Sequence, residues 1–541
     1  MRVSFCITVP TLAAVVAFAQ STPTLPRFEA ADIHPSRLTA VQARGPFMNG
    51  ARYDFRKATM VDLIVKAYGV TADKVFDGPS WLEYNRFDIS AAIPPKTSAS
   101  DVKLMLQALL ADRFQLAIRQ ENRALLAYVL TAPKGKQKLK EADGSGDTGC
   151  GMSLEQPRGV DSAGSTPPTL TISYTCRNIT MAAFAEGMNR MAQQFIGTNP
   201  VKDKTGLEGK WDFGFKYTST RPGGTNRDEI TLPDALDKQV GLTLKQERMS
   251  LPILVVEKAN LIPSQNEPDV AQKIPVLPTE FEVATIKPSA PPTANGPFPI
   301  FGIQGKPGGQ VEISNLSLKG LMQAAWSVPI VDGPKWMATD LYNIVAKMPG
   351  DGTLAAPYTM VDTDAVWVMV RALLKDRFKL VTHIEARAMT AYTLTAPKPK
   401  LKEADPFTRT KWTSSNSTLP LNGSSGPSRT IKFQNMSMAQ LAETLQYLAS
   451  TYIQSPVIDE TELEGSFDFT LTFSLLPPAQ RATILARSPD AAGGGDGTAD
   501  PIGGVSLFEA VDKQLGLKLV EQKRLAPMLV IDHIERKPTD N

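Results

Sequence analysis

Cysteine and histidine are scarce in this chain, and their scarcity limits the chemistry that its side chains can perform. Among 541 residues there are 3 cysteines and 3 histidines, and no two cysteines have the C-x-x-C spacing of a redox pair. The sequence also lacks a G-x-S-x-G nucleophile elbow and a Walker A phosphate-binding loop. We therefore predict no dithiol redox centre and no bound cofactor.

A large excess of one charge is also absent. The 58 lysines and arginines are interspersed with 55 aspartates and glutamates, which gives a net charge of +3. Proteins that bind nucleic acids usually carry a basic face or stripe. Nucleic acid is therefore not an expected partner of this chain.

Long apolar runs are missing everywhere except at the N-terminus. Residues 3–18 are mostly apolar, one arginine precedes them, and Ala17, Phe18 and Ala19 form an A-x-A site. This pattern is typical of a secretory signal peptide, so we predict cleavage after Ala19 and export to the periplasm or the medium. The alternative is an uncleaved anchor, although a run of about 16 residues is shorter than the roughly 20 that span a membrane. The mature chain is predicted to have no transmembrane segment.

The most informative positive feature is a tandem repeat, in which seven blocks of the first half recur in the same order in the second half. The paired blocks are FEAADIHPS and FEVATIKPS, DGPSW and DGPKW, LLADRF and LLKDRF, YVLTAPK and YTLTAPK, KLKEAD in both halves, PVKDKTGLEGKWDF and PVIDETELEGSFDF, and ALDKQVGLTL and AVDKQLGLKL. An ordered series of this kind indicates the duplication of one domain. We place the signal peptide at residues 1–19, the first copy at 28–258, a linker at 259–280 and the second copy at 281–537.

Hydrophobic periodicity indicates a further duplication inside each copy. In the first copy, a strand at residues 53–58 precedes a helix at 59–69, and a strand at 86–93 precedes an amphipathic helix at 98–114. Residues 115–132 have a polar stretch between apolar ones, which we interpret as two strands around a turn.

The resulting β-α-β-α-β-β pattern returns three more times, and its last part in the first copy is again interpreted as two strands, LTLKQERM and LPILVVEKA. The four predicted units lie at about residues 28–134, 170–258, 281–398 and 429–537. We predict an α+β protein with small sheets and helices packed on one face of each sheet.

Three segments rich in glycine, serine and proline are predicted to be loops or linkers, at residues 142–168, 261–278 and 475–504. Cys150 and Cys176 flank the first of them and are the only cysteines left after removal of the signal peptide, which contains Cys6. In an oxidising compartment such a pair is most simply a disulfide. The matching region of the second copy has no cysteine, so we interpret the bond as a local restraint on this loop rather than a redox centre.

No residue type forms a reactive group in both copies, and no catalytic or metal-binding residue is predicted. His34, His383 and His533 are each replaced by lysine or arginine in the other copy, as exposed positions permit and metal ligands do not. Ser100 fits an S-x-x-K motif with Lys103, but the second copy has no lysine at the matching position.

Four residues remain as candidates for a surface or a site. Asp112 and Asp376 end the long helix of each copy, and Trp81 and Trp336 follow a Gly-Pro turn, in the blocks DGPSW and DGPKW. The alternative interpretation is structural: the aspartates would belong to surface turns, and the tryptophans would fill the core.

The ordered blocks DGPSW to RFDI, LLADRF, YVLTAPK, KLKEAD, TGLEGKWDF and ALDKQVGL resemble a family of exported acidobacterial proteins, the soil-associated proteins built on a domain of unknown function. This resemblance covers nearly the whole mature chain and implies no particular activity. ALDKQVGLTL and AVDKQLGLKL, followed by LPILVVEK and APMLVIDH, are also similar to the closing half of the short N-terminal domain of secretins and TonB-dependent receptors. That resemblance implies contact with other proteins.

These observations predict an exported, non-enzymatic module that binds an unknown protein or small ligand, with open sheet edges that can accept a partner's strand. The alternative is a hydrolase that uses scattered carboxylates such as Asp112 or Asp203.

Overall fold

The computed structural model describes residues 25–36, 42–155, 170–197, 199–219, 230–289, 302–330, 333–349, 361–417, 420–421, 424–425, 428–475 and 505–539. Small, mainly antiparallel sheets and helices alternate through these ranges, which confirms the predicted α+β class. The predicted signal peptide lies outside the described residues, as do parts of the loops predicted at 142–168 and 475–504.

The strands of the first copy are β1 (Ala30–Pro35), β2 (Arg44–Asn49), β3 (Arg52–Thr59), β4 (Val75–Phe76), β5 (Arg86–Ala92), β6 (Ala117–Thr131), β7 (Lys140–Glu141), β8 (Gly149–Glu155), β9 (Leu170–Ile179), β10 (Val201–Asp203), β11 (Trp211–Ser219) and β12 (Thr243–Lys258). Its helices are α1 (Met60–Tyr68), α2 (Ala99–Phe114), α3 (Met181–Met191), α4 (Gln193–Ile196) and α5 (Leu232–Ala235), which continues as a π-helical turn over Leu236–Val240. The linker contains α6 (Val270–Lys273).

The strands of the second copy are β13 (Val283–Pro288), β14 (Gly302–Lys306), β15 (Gln310–Ser317), β16 (Leu341–Lys347), β17 (Val381–Thr395), β18 (Lys402–Glu403), β19 (Lys411–Ser417), β20 (Pro420–Leu421), β21 (Ser424–Ser425), β22 (Ser428–Met436), β23 (Val457–Asp459), β24 (Phe467–Ser474) and β25 (Lys518–His533). Its helices are α7 (Leu318–Trp326), α8 (Trp336–Thr339), α9 (Thr363–Arg377), α10 (Met438–Leu448) and α11 (Leu507–Leu515).

Four units with the same element order make up the two copies. Each unit consists of a strand, a helix, an antiparallel strand, a second helix and a long closing strand. The units are β3-α1-β5-α2-β6, β9-α3-β11-α5-β12, β15-α7-β16-α9-β17 and β22-α10-β24-α11-β25, and we call them units 1 to 4. The inner duplication predicted from the sequence is therefore present in the element order.

A β-bulge precedes the first helix of every unit. The bulge residue has a positive φ, between 48° and 56°, and its backbone N–H donates to a side-chain oxygen on the antiparallel strand at 2.7–2.9 Å. The bulge residues are Lys57, Asn178, Asn315 and Asn435, and their acceptors are Asp88, Asp212, Asn343 and Asp468. The acceptor therefore has a structural role, because it satisfies a backbone donor that the bulge leaves unpaired.

The first helix of each unit begins at a capping hydroxyl and buries one side against its sheet. Thr59, Thr180, Ser317 and Ser437 each accept a hydrogen bond from the backbone N–H three residues later. Leu63, Phe184, Leu321 and Leu441 occupy the centre of the four apolar faces and have no exposed surface. Burying a side chain of this size stabilises the fold by roughly 1.5–3 kcal/mol.

The closing strands differ from the sequence prediction. Residues 115–132 do not form two strands around a turn, and neither do LTLKQERM and LPILVVEKA: β6 is a single strand of 15 residues, β12 is one of 16, and they pair antiparallel along their length. β17 and β25 form the same ribbon in the second copy. The middle residues of these strands are polar because they lie between two cores, where they are exposed to solvent. None of them is a glycine, which a tight turn would favour.

Each unit has its own core, and the ribbons join the cores in pairs. Ile118 and Val256 of the first ribbon pack into the core of unit 1, while Leu130 and Leu244 pack into that of unit 2. The linker is partly ordered as well: Val270 and Ile274 are buried against the outer face of β1 and β5. The described residues contain no helix long and apolar enough to cross a membrane.

Candidate binding surfaces and the junction of the two copies

The DGPSW block of the first copy forms a tight loop that positions Trp81. Gly78 has a φ of +85°, and a Cβ at this position would come within 2.8 Å of the side chains of Leu82 and Val256. A glycine is required there for both reasons. The loop continues as a 3₁₀ turn, Ser80–Glu83, in which Leu82 is buried in the core and Trp81 packs edge-on against Phe87 at 6.1 Å.

The residues after Trp81 attach the first copy to the second. Tyr84 is buried in the core of unit 4, where its hydroxyl donates to the Gln440 carbonyl at 3.2 Å and lies 3.3 Å from the Thr444 hydroxyl. The Thr410 N–H also donates to the Ser80 carbonyl at 2.9 Å. Burial raises the pKa of the Tyr84 hydroxyl to about 12, so this contact is made by a neutral phenol.

An ionic contact joins unit 1 to the start of α9 in unit 3. Asp362 caps α9 by accepting from the Ala365 N–H, and Arg56 donates to the same carboxylate at 2.6 Å. Arg56 also lies 3.4 Å from the fully buried Asp54, and Arg44 pairs with Asp364. Burial alone would lower the pKa of Arg56, but the hydrogen bond and the charge of Asp362 hold that pKa above its ordinary value. The copies therefore meet through a polar network as well as through Tyr84.

A cleft of about 430 Å³ lies at this junction. Ser80 and Trp81 of the first copy line one side, and residues of unit 4 and the loops before it line the other. The second-copy residues with polar side chains are Glu403, Thr410, Asn435, Gln440, Glu464 and Ser466. An aromatic ring beside carboxylates, amides and hydroxyls suits a polar ligand or a partner's side chain.

The counterpart tryptophan of the second copy has a different environment. Trp336 begins the four-residue helix α8 and packs against the core of unit 3. Asp332, which starts the DGPKW block, lies outside the described residues, and a Cβ on Gly333 would meet the Met337 sulfur at 2.7 Å. Of the two predicted tryptophans, Trp81 lines the junction cleft and Trp336 packs on its own core.

The two predicted aspartates lie in separate units and are not brought together. Asp112 ends α2 and pairs with Arg27, and Asp376 ends α9 at 3.4 Å from Arg377 and 3.6 Å from Lys379. In the first copy, Arg113 holds the linker, since its guanidinium donates to the Ser264 carbonyl at 2.6 Å. In the LLADRF block, Arg113 and Phe114 therefore have structural roles, and Asp112 lies at the surface.

The histidines and the acidic turns that recur in both copies serve local structure. His34, His383 and His533 are all exposed strand residues with acidic neighbours. Asp203 accepts from the N–H and the hydroxyl of Thr205, and Asp459 accepts from the Thr461 N–H, as turn residues do. Within the described ranges, no group of histidine, cysteine, aspartate and glutamate could hold a metal ion.

Part of the loop predicted at residues 142–168 is a strand, which the sequence prediction missed. β8 pairs with β9 from Gly149 to Glu155, and the disulfide between Cys150 and Cys176 joins the two strands with Cα atoms 4.0 Å apart. Two glycines and a serine made the segment look like a loop. The signal that could have identified it is the alternation of Cys150, Met152 and Leu154 with small residues.

β8 is the edge strand of its sheet, whose order is β7-β11-β9-β8. Met152 and Leu154 on this strand are 59% and 54% exposed, although both are large and apolar. At the matching position of the second copy, the cross-strand pair is Trp412 and Phe433 rather than a disulfide. The same strand of the fold therefore has an apolar exposed surface in the first copy only.

A family model described as "Protein of unknown function (DUF3738)" matches the chain twice, at residues 61–259 and 319–534. The two matches agree with the tandem repeat found in the sequence. No curated protein and no solved structure matches the chain.

Proposed function

The chain belongs to DUF3738, a family of proteins of unknown function. Because the family assigns no activity, we propose a function from the structure: an exported, non-enzymatic binding module that accepts an extended strand of a partner protein at β8. Export is supported by the signal-peptide pattern of residues 1–19 and by a disulfide, a bond that persists in oxidising compartments. The similarity to secretin-type modules, inferred from the closing block of each copy, would fit such a role.

The observation that carries the proposal is the geometry of β8. Antiparallel strands alternate between wide hydrogen-bonded pairs and narrow pairs of about 4.5 Å, whose backbone groups point away from the neighbouring strand. Cys150 and Cys176 form a narrow pair, with Cα atoms 4.0 Å apart. By the same alternation, the N–H and C=O groups of Met152 and Leu154 point away from β9 and towards the free edge. A partner's strand can pair with these groups.

Two other edges of the fold, those of β1 and β19, carry features that discourage pairing. The Asn266 side chain occupies the edge of β1, where it accepts from the Ile33 N–H and donates to the Ile33 carbonyl, both at 3.1 Å. β19, the counterpart of β8, begins with Lys411 and Trp412 and continues with threonine, serine and asparagine only. Natural sheets protect their edges in such ways, and the apolar edge of β8 lacks this protection, which favours contact with a partner's strand. The disulfide keeps β8 aligned for this contact.

The proposal can be tested by affinity capture with paired proline variants. Met152→Pro removes one outward N–H without removing a hydrogen bond between β8 and β9. Ser414→Pro makes the equivalent change in β19 and is the matched control. We expect a partner captured from the native periplasm or medium by the wild-type protein and by Ser414→Pro to be lost with Met152→Pro. Equal capture by Met152→Pro, in protein whose circular dichroism is unchanged, would contradict strand addition.

Carboxylate-dependent hydrolysis is a second candidate, because the junction cleft brings Glu403 and Glu464 to the same cavity as Trp81. A pair of carboxylates can act as general acid and base or nucleophile. If the cleft is catalytic, Glu403→Gln and Glu464→Gln should each lower hydrolysis of chromogenic glycosides by about a hundredfold or more. Absence of hydrolysis by the wild-type protein, or equal rates in the variants, would leave the binding module as the function.

A further inference from the structure

A second groove lies in the second copy, between β13 and α9. It is separate from the edge of β8 and from the junction cleft. Its volume is about 730 Å³, within the range of sites that hold small ligands or short peptides. Phe281, Met369 and Leu373 form an apolar floor, and Glu280, Glu282 and Asp376 lie at its margin. One arginine, Arg377, also lines the groove.

The first copy carries the opposite charge at one of these positions. Arg27 precedes FEAADIHPS as Glu280 precedes FEVATIKPS, and Asp112 matches Asp376 in the LLADRF and LLKDRF blocks. In the first copy, Arg27 pairs with Asp112 at the position equivalent to Glu280 and Asp376. The second copy therefore has two carboxylates where the first has an internal ion pair.

The apolar surface beside the groove is also covered differently in the two copies. Ala30 in β1 is only 6% exposed because Val270 and Ile274 of the linker pack on it. Val283, at the same position of β13, is 65% exposed. The first copy thus supplies both a cation and an apolar cover from its own chain.

We propose that the groove between β13 and α9 binds a short peptide of a partner that presents an arginine or lysine between apolar side chains. The cation takes the place that Arg27 holds in the first copy, between Glu280 and Asp376. The apolar side chains cover Val283 as Val270 and Ile274 cover Ala30.

Charges of both signs surround the groove, with three carboxylates beside three cations. Lys347 pairs with Glu282 at 2.8 Å, and Arg377 and Lys379 lie on one side of Asp376. Glu280 is the added acid, since its counterpart is Arg27. Contacts between exposed charges are screened by salt, so binding should weaken as the salt concentration rises while the apolar contribution persists.

The probe is the capped peptide acetyl-Val-Ala-Arg-Lys-Ile-amide, which has the sequence of linker residues 270–274 with arginine in place of Gln272. Its neutral control is acetyl-Val-Ala-Gln-Gln-Ile-amide. Isothermal titration of the full mature chain should give one site per chain for the basic peptide and an affinity at least about tenfold lower for the neutral one. No binding of the basic peptide, or equal binding of both peptides, would overturn the proposal.

Two charge-matched variants locate the site. Glu280→Arg recreates the first-copy ion pair with Asp376 and should lower the affinity at least about tenfold. Glu29→Arg makes the same change of net charge at an exposed position of the first copy and should leave the affinity unchanged. Because both substitutions are at exposed positions, thermal unfolding should match the wild-type protein. Equal loss of binding in both variants would indicate a general charge effect and contradict this site.

Discussion

In each unit, one side-chain acceptor stabilises the β-bulge before the first helix. In three units the acceptor is an aspartate, but in unit 3 it is Asn343, which accepts from the Asn315 N–H at 2.8 Å. An amide oxygen therefore satisfies the bulge as well as a carboxylate does. The requirement at this position is for a hydrogen-bond acceptor and not for a charge.

Substitutions at Asp212 test this distinction. Asp212→Asn should change the free energy of unfolding by no more than about 0.5 kcal/mol. Asp212→Ala leaves the buried Asn178 N–H without its acceptor and should cost about 1–3 kcal/mol. Urea unfolding of both variants is the measurement. If asparagine is as costly as alanine, the charge matters and the inference from Asn343 is wrong.

We expect Glu443 to make the stability of the junction depend on pH. It lies half-buried on α10, beside the helix turn where Tyr84 docks, and burial raises its pKa from 4.5 to about 7. A carboxyl whose pKa is raised by folding adds stability at low pH and loses it as the pH rises from about 4.5 to about 7. Titratable groups near this contact include Arg86 and the neutral Tyr84.

We expect Glu443→Gln to be more stable than the wild-type protein at pH 8, by an amount of the order of 1 kcal/mol because solvent still reaches the carboxyl. At pH 4.5 and below the two proteins should be equally stable. Glu186→Gln, the exposed first-copy counterpart on α3, is the control and should have no such effect. Thermal unfolding across this pH range checks the prediction, and a parallel pH dependence for all three proteins would contradict it.

At the scale of elements, the sequence predicted the helices better than the strands. Helices α1, α2 and α10 combine apolar spacing with a capping box, so pattern and local chemistry agree. β6 and β12 were divided wrongly because the polarity of their middle residues depends on a gap between two cores, which no local pattern encodes. β8 was missed because its stability comes from pairing with β9 and from a disulfide, and both are distant in sequence.

The disulfide can be removed without touching the second copy. The variant Cys150→Ala with Cys176→Ala should destabilise the first copy by about 3 kcal/mol in the chain-entropy model, because the bond closes a loop of 26 residues. Amide hydrogen exchange should become faster in β8 and β9 and stay unchanged in β19 and β22, where Trp412 and Phe433 take the same place. Equal acceleration in both copies would contradict a local role.

At the scale of the whole molecule, two copies of one domain have acquired different contacts. The DGPSW loop holds Trp81 at a cleft and delivers Tyr84 into the other copy, whereas the DGPKW loop ends in a helix that packs on its own core. The sequence identified Trp81 as a candidate. It could not distinguish Trp81 from Trp336, or find Glu403 and Glu464, because the repeat does not encode which faces meet.

Tyr84→Ala should therefore weaken the second copy although the substitution is in the first. Loss of a buried aromatic ring typically costs about 3–5 kcal/mol, and here the ring is part of the unit 4 core. Hydrogen exchange should accelerate in α10. Tyr128→Ala, which removes a ring from the surface of the unit 2 core, is the control and should leave α10 unchanged. An unchanged α10 in Tyr84→Ala would mean that the copies are energetically independent.

The central claim is that a partner's strand adds to β8, and amide hydrogen exchange of the captured complex tests it most directly. The outward N–H groups of Met152 and Leu154 should exchange slowly in the complex and rapidly in the free protein, while those of β19 stay the same. Unchanged exchange at Met152 and Leu154 in a complex that has formed would contradict the claim.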